Sequence, residues 1–586
     1  LVVTFTRAAA AELVEKLGKD PVISGGKLPL AMTLHSFSMR ILMSDAYRAR
    51  IPLPLRVLDD WEQDHMLYPT LARLCNFTNK DRNKIAAGKI EIYEAGWQSL
   101  DADHEDWSKS LDPLFHKSLE SLRTVFGFTL IGELPYKLRE YLKSDLGVVS
   151  RLRLSYILVD EFQDLNPCDQ DIIRLLTAEG AHLSVFGDDD QSIYSFRQAA
   201  PRGILHFKDH YPSAEKIILE VCYRCPQPIV SLAREVIEGT TMVREEKNVR
   251  ANKNGPCEIK CLAFDEGGEE VSGVLKIAQW FHERATIDWK DILILVPTKK
   301  FGNYLAKALE REAIPVDNWL KERDILQSPE MRRLFSILRI YLDHQDALAL
   351  WTYFSLSRGF GDAVLLSLVD MAVEHNCSFS DMIEQVRDGS FSVEAGIRRK
   401  VTRILEALEG DVAQVTDWFT DYERLIGSLV ERASPENKEW IESSLRALFN
   451  RTDDEGLSPT TVVQRMQTAK LSPAIEPEID KVRLMTMHKA KGLSAKCVFI
   501  PFLEDENLIV EGLSAAQIEE KRRLLYVSLT RSKHYLILSY SLTRQDYTQY
   551  THSGKKAPRR RRLKFFDGTS LKWYKGGDFV RKLTKS

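Results

Sequence analysis

The chain has 586 residues, of which 44% are hydrophobic and 28% charged, and a formal net charge of −3. That length excludes a small stapled module and leaves room for about four domains of roughly 150 residues each. No apolar run reaches the roughly 18 residues of a membrane-spanning helix, and no secretory signal is visible, so the reading is a cytoplasmic protein with no membrane partner.

The first residues, Leu1-Val2-Val3-Thr4-Phe5, read as part of a buried strand without an initiator Met, and a segment is expected before residue 1. Residues 38–150 are rich in Trp, Leu and charge and read as helical. Apolar runs at Tyr156–Val159, Leu183–Phe186, Ile292–Val296, Val482–Met485, Cys497–Ile500 and Tyr535–Leu538 read as buried parallel strands. Residues 345–475 read as helical again, for instance over Ile397–Leu408 and Asn437–Asn450. Strands alternating with helices predict α/β layers.

From Lys555 to Ser586 twelve Lys/Arg face two Asp/Glu, so the other residues sum to −13. This basic tail reads either as a solvated, partly disordered end or as a local anion-binding patch. The eight cysteines suit a reducing compartment. Cys222, Cys225, Cys257 and Cys261 have spacings compatible with a four-thiolate zinc site, which ranks below the reading of Tyr223-Arg224 given next.

Two segments carry chemistry. Ile157-Leu158-Val159 runs into Asp160-Glu161-Phe162-Gln163-Asp164. Ligands in open α/β sheets sit off the carboxyl ends of strands, where one carboxylate can hold Mg²⁺ on a nucleotide and its neighbour can orient a water. Alone, the segment reads equally as the start of a solvated loop. The second, Gly187 to Arg197, follows another strand. Its Gln191 can bond a terminal phosphate, while Tyr194, Phe196 and Arg197 suit stacking on unpaired bases and holding a phosphate. The competing reading makes both aromatics core.

Together these segments resemble the superfamily 1 DNA helicases of the UvrD/Rep/PcrA type. Further motifs follow in that family's order: Thr4–Ala9 (Ia), Thr33–Phe37 (Ib), Val159–Asp164 (II), Gly187–Arg197 (III), Cys222–Arg224 (IV), Thr486–Leu493 (V) and Glu520–Arg531 (VI). The resemblance implies two RecA-like parallel-sheet cores of the P-loop NTPase type, each with a mainly helical insertion. Core 1A takes 1–37 and 151–208, insertion 1B 38–150, core 2A 209–345 and 476–553, insertion 2B 346–475, and the basic tail 554–586. It implies ATP with Mg²⁺ as cofactor and 3′→5′ translocation with duplex unwinding. Partners are single-stranded DNA, single/double-strand junctions, and repair or replication proteins. By the same resemblance, Asp160 holds Mg²⁺, Glu161 is the catalytic base, and Gln191, Arg224 and Arg531 reach the γ-phosphate. Tyr223 stacks on adenine and Gly492 lies beside the nucleotide. Phe5, His35, Tyr194, Phe196, Arg197, Thr486 and His488 contact DNA.

Departures bear on these roles. Phe196-Arg197-Gln198 stands where the family has Trp-Arg-Gly, Ser494 where it has a ribose-contacting Glu, and Cys222 where it often has Asn. No Gly-x-x-x-x-Gly-Lys-[Ser/Thr] loop occurs in the chain. The expectation is that this loop lies upstream of residue 1 and that residues 1–586 alone hydrolyse ATP poorly. The alternatives are a non-catalytic DNA-binding protein of helicase ancestry and an RNA or nuclease-associated relative.

Overall fold

The computed structural model describes residues 1–5, 7–19, 29–45, 55–145, 147–194, 202–252, 257–320, 325–432, 438–449, 458–469, 480–550 and 554–583. They divide into two compact units. One comprises Leu1–Ile157, Pro167–Leu183 and Arg323–Ala474, and the other Leu158–Asn166, Ser184–Glu322 and Ile475–Ser586.

In the first unit, β1 (Val2–Thr4) and β2 (Ala31–Thr33) pair in parallel, with Thr4 opposite Thr33. A short ribbon joins β3 (Arg56–Val57) to β4 (Phe128–Thr129). With β5 (Tyr156–Val159) and β6 (His182–Val185), β1 and β2 make a four-stranded sheet in the order β2-β1-β5-β6, and the boundary between units passes through β5 and β6. These strands lie where expected but are only half-covered. Tyr156, Leu158 and Phe186 are 63%, 36% and 50% exposed, while Ile157 and Val159 are buried. The continuous apolar run therefore overstated the burial, because among the described residues one face of these strands is open.

The rest of the first unit is helical. The expected helices at 397–408 and 437–450 appear as Ala395–Ala413 and Lys438–Phe449. Residues from Leu58 to Leu130 and from Leu326 to Met466 share one apolar core. Phe126 meets Phe379 at 5.7 Å between centroids, and Trp61 meets Trp351 at 6.3 Å. Buried charges bridge the same two stretches. Arg339 bonds Glu62 at 2.8 Å and Asp346 at 2.9 Å, and Arg332 bonds Asp59 at 2.5 Å.

The second unit carries the pair β7 (Val221–Cys222) and β8 (Arg250–Ala251) and an all-parallel seven-stranded sheet. Its strands are β9 (Glu258–Glu266), β10 (Ile292–Val296), β11 (Val316–Asn318), β12 (Val482–Thr486), β13 (Ala495–Ile500), β14 (Ser532–Thr543) and β15 (Trp573–Lys575). They are ordered β11-β12-β10-β13-β14-β9-β15. Every residue of the central β10 is buried, as parallel sheets covered on both faces require. Apolar clusters line the two faces. The fold is mixed α/β with parallel sheets, rich in helix.

The basic tail is not a loose end. Leu563, Phe565 and Phe566 are buried in the core, β15 extends the sheet beside β9, and helix Gly576–Leu583 packs on helix Gly267–Glu283. The apolar residues set among the arginines were the missed signal, since a solvated run has no use for them. Among the described residues no helix is long and apolar enough to cross a membrane.

Candidate nucleotide and DNA site

In the second unit the carboxylate segment leaves β5 through an unusual turn. Glu161 takes a left-handed backbone (φ 55°), and Asp160 accepts the Glu161 amide at 3.0 Å. Such a conformation costs a non-glycine residue about 1–2 kcal/mol, and here paired strands impose it. The Phe162 amide donates to the Phe186 carbonyl at 2.9 Å, and the Phe186 amide to the Val159 carbonyl at 2.8 Å. Gly187 permits the close approach, because a Cβ there would sit 2.5 Å from the Gln163 side-chain oxygen. Lost hydration, with Glu161 alongside, raises the Asp160 carboxyl above its ordinary range.

Cations meet these acids from within the same unit. Lys491 is bonded to Asp164, lies 3.3 Å from Glu161, and donates to the Gln191 carbonyl at 2.9 Å. Gln163 donates to the Glu161 carboxylate. Gln191 bonds Asp188 at 2.8 Å through its amide nitrogen, and Arg531 approaches its oxygen at 3.5 Å. Arg531 is 1% exposed, and its other bonds run to the carbonyls of Val527 and Leu493 and to the Thr530 hydroxyl. Burial lowers its guanidinium to about 10, and the like charge of Arg224 adds to this. Arg224 is brought there by the Cys225 thiol, which bonds the Thr530 carbonyl at 3.2 Å. Two guanidiniums thus face a region holding no ion-paired carboxylate for Arg531 among the described residues. Burying such a charge is costly unless an anion joins it. Tyr223 is 68% exposed and leaves a ring face open for stacking.

The four cysteines do not gather. Among the described residues, the one cluster of possible metal ligands is Asp188, Asp189 and Asp190. Arg244 grips Asp190 through two bonds of 2.9 and 2.6 Å, and Lys247 is ion-paired to all three acids. That clamp offsets two of the three negative charges and anchors the Gln191 turn to the 244–247 segment.

The expected DNA contacts fall into separate groups. In the first unit Phe5 and His35 lie just beyond the paired ends of β1 and β2, both half-buried. Thr33 caps the helix that starts at Leu34, accepting the Ser36 amide at 3.2 Å, and so fixes His35 in its first turn. In the second unit Thr486 ends β12 and His488 follows in a short turn. Lost hydration, with Lys521 nearby, lowers His488 to about 4, so it is neutral at physiological pH and no cation for phosphate. Gly492 has φ 86°, which glycine tolerates, and nothing would meet a Cβ there. Of the motif V lysines, Lys491 turns inward onto Asp164 and the Gln191 carbonyl. Tyr194 packs against the apolar core, with the Lys491 ammonium 5.5 Å from its ring centroid, so its ring is only partly available. Phe196 and Arg197 lie outside the described residues.

Sequence reasoning missed Lys491, Asp164, Gln163, Arg244 and Lys247 as parts of this network. Gln163 and Asp164 sat in view beside Glu161, but nothing in the spacing tied Arg244 or Lys247 to Asp188–Asp190.

The fold and site define an α/β protein with strand-end carboxylates and two arginines, one buried and one half-buried, suited to a phosphate-bearing ligand. Residues 1–212 match the UvrD/REP helicase N-terminal domain and residues 217–543 the UvrD-like helicase C-terminal domain; the chain belongs to this helicase family. It is 26% identical to the ATP-dependent DNA helicase Rep of Buchnera aphidicola subsp. Acyrthosiphon pisum, over 93% of this chain and 88% of that protein. It is 25% identical to a probable DNA helicase II homolog of Mycoplasma capricolum, over 95% and 79% of the two chains. Against the ATP-dependent DNA helicase PcrA of Staphylococcus aureus it is 24% identical, over 93% and 77%.

Proposed function

We propose that this protein is an ATP-dependent DNA helicase that moves 3′→5′ along single-stranded DNA and unwinds duplexes at single/double-strand junctions. The supporting observation is the convergence of Asp160, Glu161, Gln191, Arg224 and Arg531 about one anion-seeking region. In this reading the chain comprises cores 1A and 2A with insertions 1B and 2B at the boundaries given above. It works in the cytoplasm, alongside repair or replication proteins.

The donor set fits Mg²⁺-ATP: a strand-end carboxylate pair for the metal, a buried and a half-buried guanidinium for phosphate, and an open aromatic face for the base. Bound ATP supplies a phosphoryl group whose transfer to water releases the energy for movement. Asp160 would hold the metal. Glu161, held in place by Gln163 and Lys491, would accept the proton of the attacking water. Gln191 would bond the terminal phosphate while keeping its bond to Asp188. Arg531 and Arg224 would stabilise charge on the phosphoryl oxygens. Tyr223 stacks on adenine beside Gly492. Phe5, His35, Tyr194, Phe196, Arg197 and Thr486 contact the strand, and His488 does so as a neutral ring.

The test is ATP hydrolysis by the full-length protein with and without poly-dT. Marked stimulation by the strand is expected. Turnover that is indifferent to DNA would refute the coupling.

A further inference from the structure

The C-terminal segment beyond the matched helicase domains is folded and carries a net positive charge, even though Lys555 pairs with Glu511 at 2.8 Å and Arg561 with Glu506 at 3.2 Å. Residues 554–583 expose Lys555, Lys556, Arg559, Arg561, Lys564, Lys572, Lys575, Arg581 and Lys582 but contain only Asp567 and Asp578 as acids. The buried Arg560 and the half-buried Arg562 have structural partners. Arg560 donates to the Thr548 carbonyl at 2.9 Å, and Arg562 pairs with Asp567 at 2.5 Å. The exposed ones at the strand-to-helix junction do not balance. Arg581 bonds Asp578, and Lys575 and Lys582 act on the same carboxylate, which is held below its ordinary range. One acid thus sits among three cations. Lys260 of β9 lies beside them, its ammonium 5.7 Å from the Phe579 ring, but it is paired with Glu258 at 2.7 Å and adds no net charge.

Two simpler explanations fall short. Lysines on a terminal strand discourage edge-to-edge pairing, and β15 is terminal in the sheet order. That accounts for Lys572 and Lys575, but not for Arg581 and Lys582 on the helix. A solvated disordered tail is excluded by the buried Leu563, Phe565, Phe566 and Val580. Cations exposed together on a strand and a short helix, in excess of the one acid among them, suit a polyanion. Only one exposed aromatic, Tyr574, stands among them, which gives no series of stacking faces for unpaired bases.

We propose that the junction of β15 and helix Gly576–Leu583 is a second DNA-contacting surface, which grips the sugar-phosphate backbone of duplex DNA without reading sequence. It adds to the helicase reading and rests on it. Tethering the duplex here would keep the protein on its substrate between steps.

The test uses the full-length protein carrying Lys575→Gln, Arg581→Gln and Lys582→Gln together. Deletion is unsuitable, since it would strip β15 from the sheet. Binding to a blunt DNA duplex and to poly-dT is followed by fluorescence anisotropy across a sodium chloride series. Each phosphate contact contributes roughly 0.9 to the log–log salt slope, so the variant's duplex slope should shrink by about 2–3. Its poly-dT affinity should hold, and the Lys575→Arg, Lys582→Arg variant should bind duplex like the parent. An unchanged duplex slope, or equal losses on both probes, overturns the proposal. So does loss confined to poly-glutamate, which would assign the surface to an acidic protein. Parent protein that binds neither DNA would refute the helicase reading itself.

Discussion

Glu161→Gln in the full-length protein is expected to lower kcat for ATP hydrolysis by about 10²–10⁴-fold, the usual contribution of a general base, while leaving poly-dT affinity intact. The substitution keeps shape and an oxygen acceptor for the Gln163 amide, and it removes the basicity. Lys491 loses one neighbour but keeps Asp164 and the Gln191 carbonyl, so the network does not collapse. A turnover within tenfold of the parent would show that Glu161 is no base.

The second large effect concerns stability. Arg544 is bound between two fully buried carboxylates, at 2.8 and 2.5 Å to Glu504 and directly to Glu270. The acids are themselves satisfied. Glu270 accepts the Phe502 amide at 2.9 Å and the Ser539 hydroxyl at 2.7 Å, and Glu504 accepts the Ser541 amide at 3.0 Å. This triad fastens the start of helix Gly267–Glu283 to the ends of β13 and β14. Arg544→Met leaves buried carboxylates without their cation and should cost about 3–5 kcal/mol in urea unfolding. The sign of its pH dependence follows. Burial already raises the Glu270 carboxyl, and without the Arg544 cation it binds a proton more readily in the folded variant than in the unfolded chain. The variant's stability then falls as pH rises through the Glu270 titration, and the deficit shrinks on acidification. A loss below about 1 kcal/mol, typical of exposed pairs, would contradict the account.

What the sequence disclosed depended on how many faces each element buries. β10, β12 and β13 were legible because strands covered on both sides are continuous apolar runs. β9 was not, since its Glu258, Lys260 and Asp265 interrupt the apolar residues. β5 and β6 were located correctly but misjudged in burial, because apolarity alone does not say whether a partner covers it. Asp160, Glu161, Gln191 and Arg531 stood out as motif residues in a fixed order. The inward turn of Lys491 did not, because a lysine beside a glycine reads as phosphate-seeking until Asp164 is seen buried beneath it. His488 likewise gives no hint by residue type that lost hydration and Lys521 lower it. The clamp of Arg244 and Lys247 on Asp188–Asp190 is a long-range contact that no local pattern encodes.

These roles meet in one claim, that hydrolysis drives directional movement on a single strand. The direct measurement is ATP-dependent strand displacement by the full-length protein from two partial duplexes, one with a 3′ single-stranded tail and one with a 5′ tail. Displacement from the 3′-tailed substrate, with little from the 5′-tailed one and none for Glu161→Gln, is the predicted result. Equal displacement from both, a preference for the 5′ tail, or undiminished activity in Glu161→Gln would contradict it.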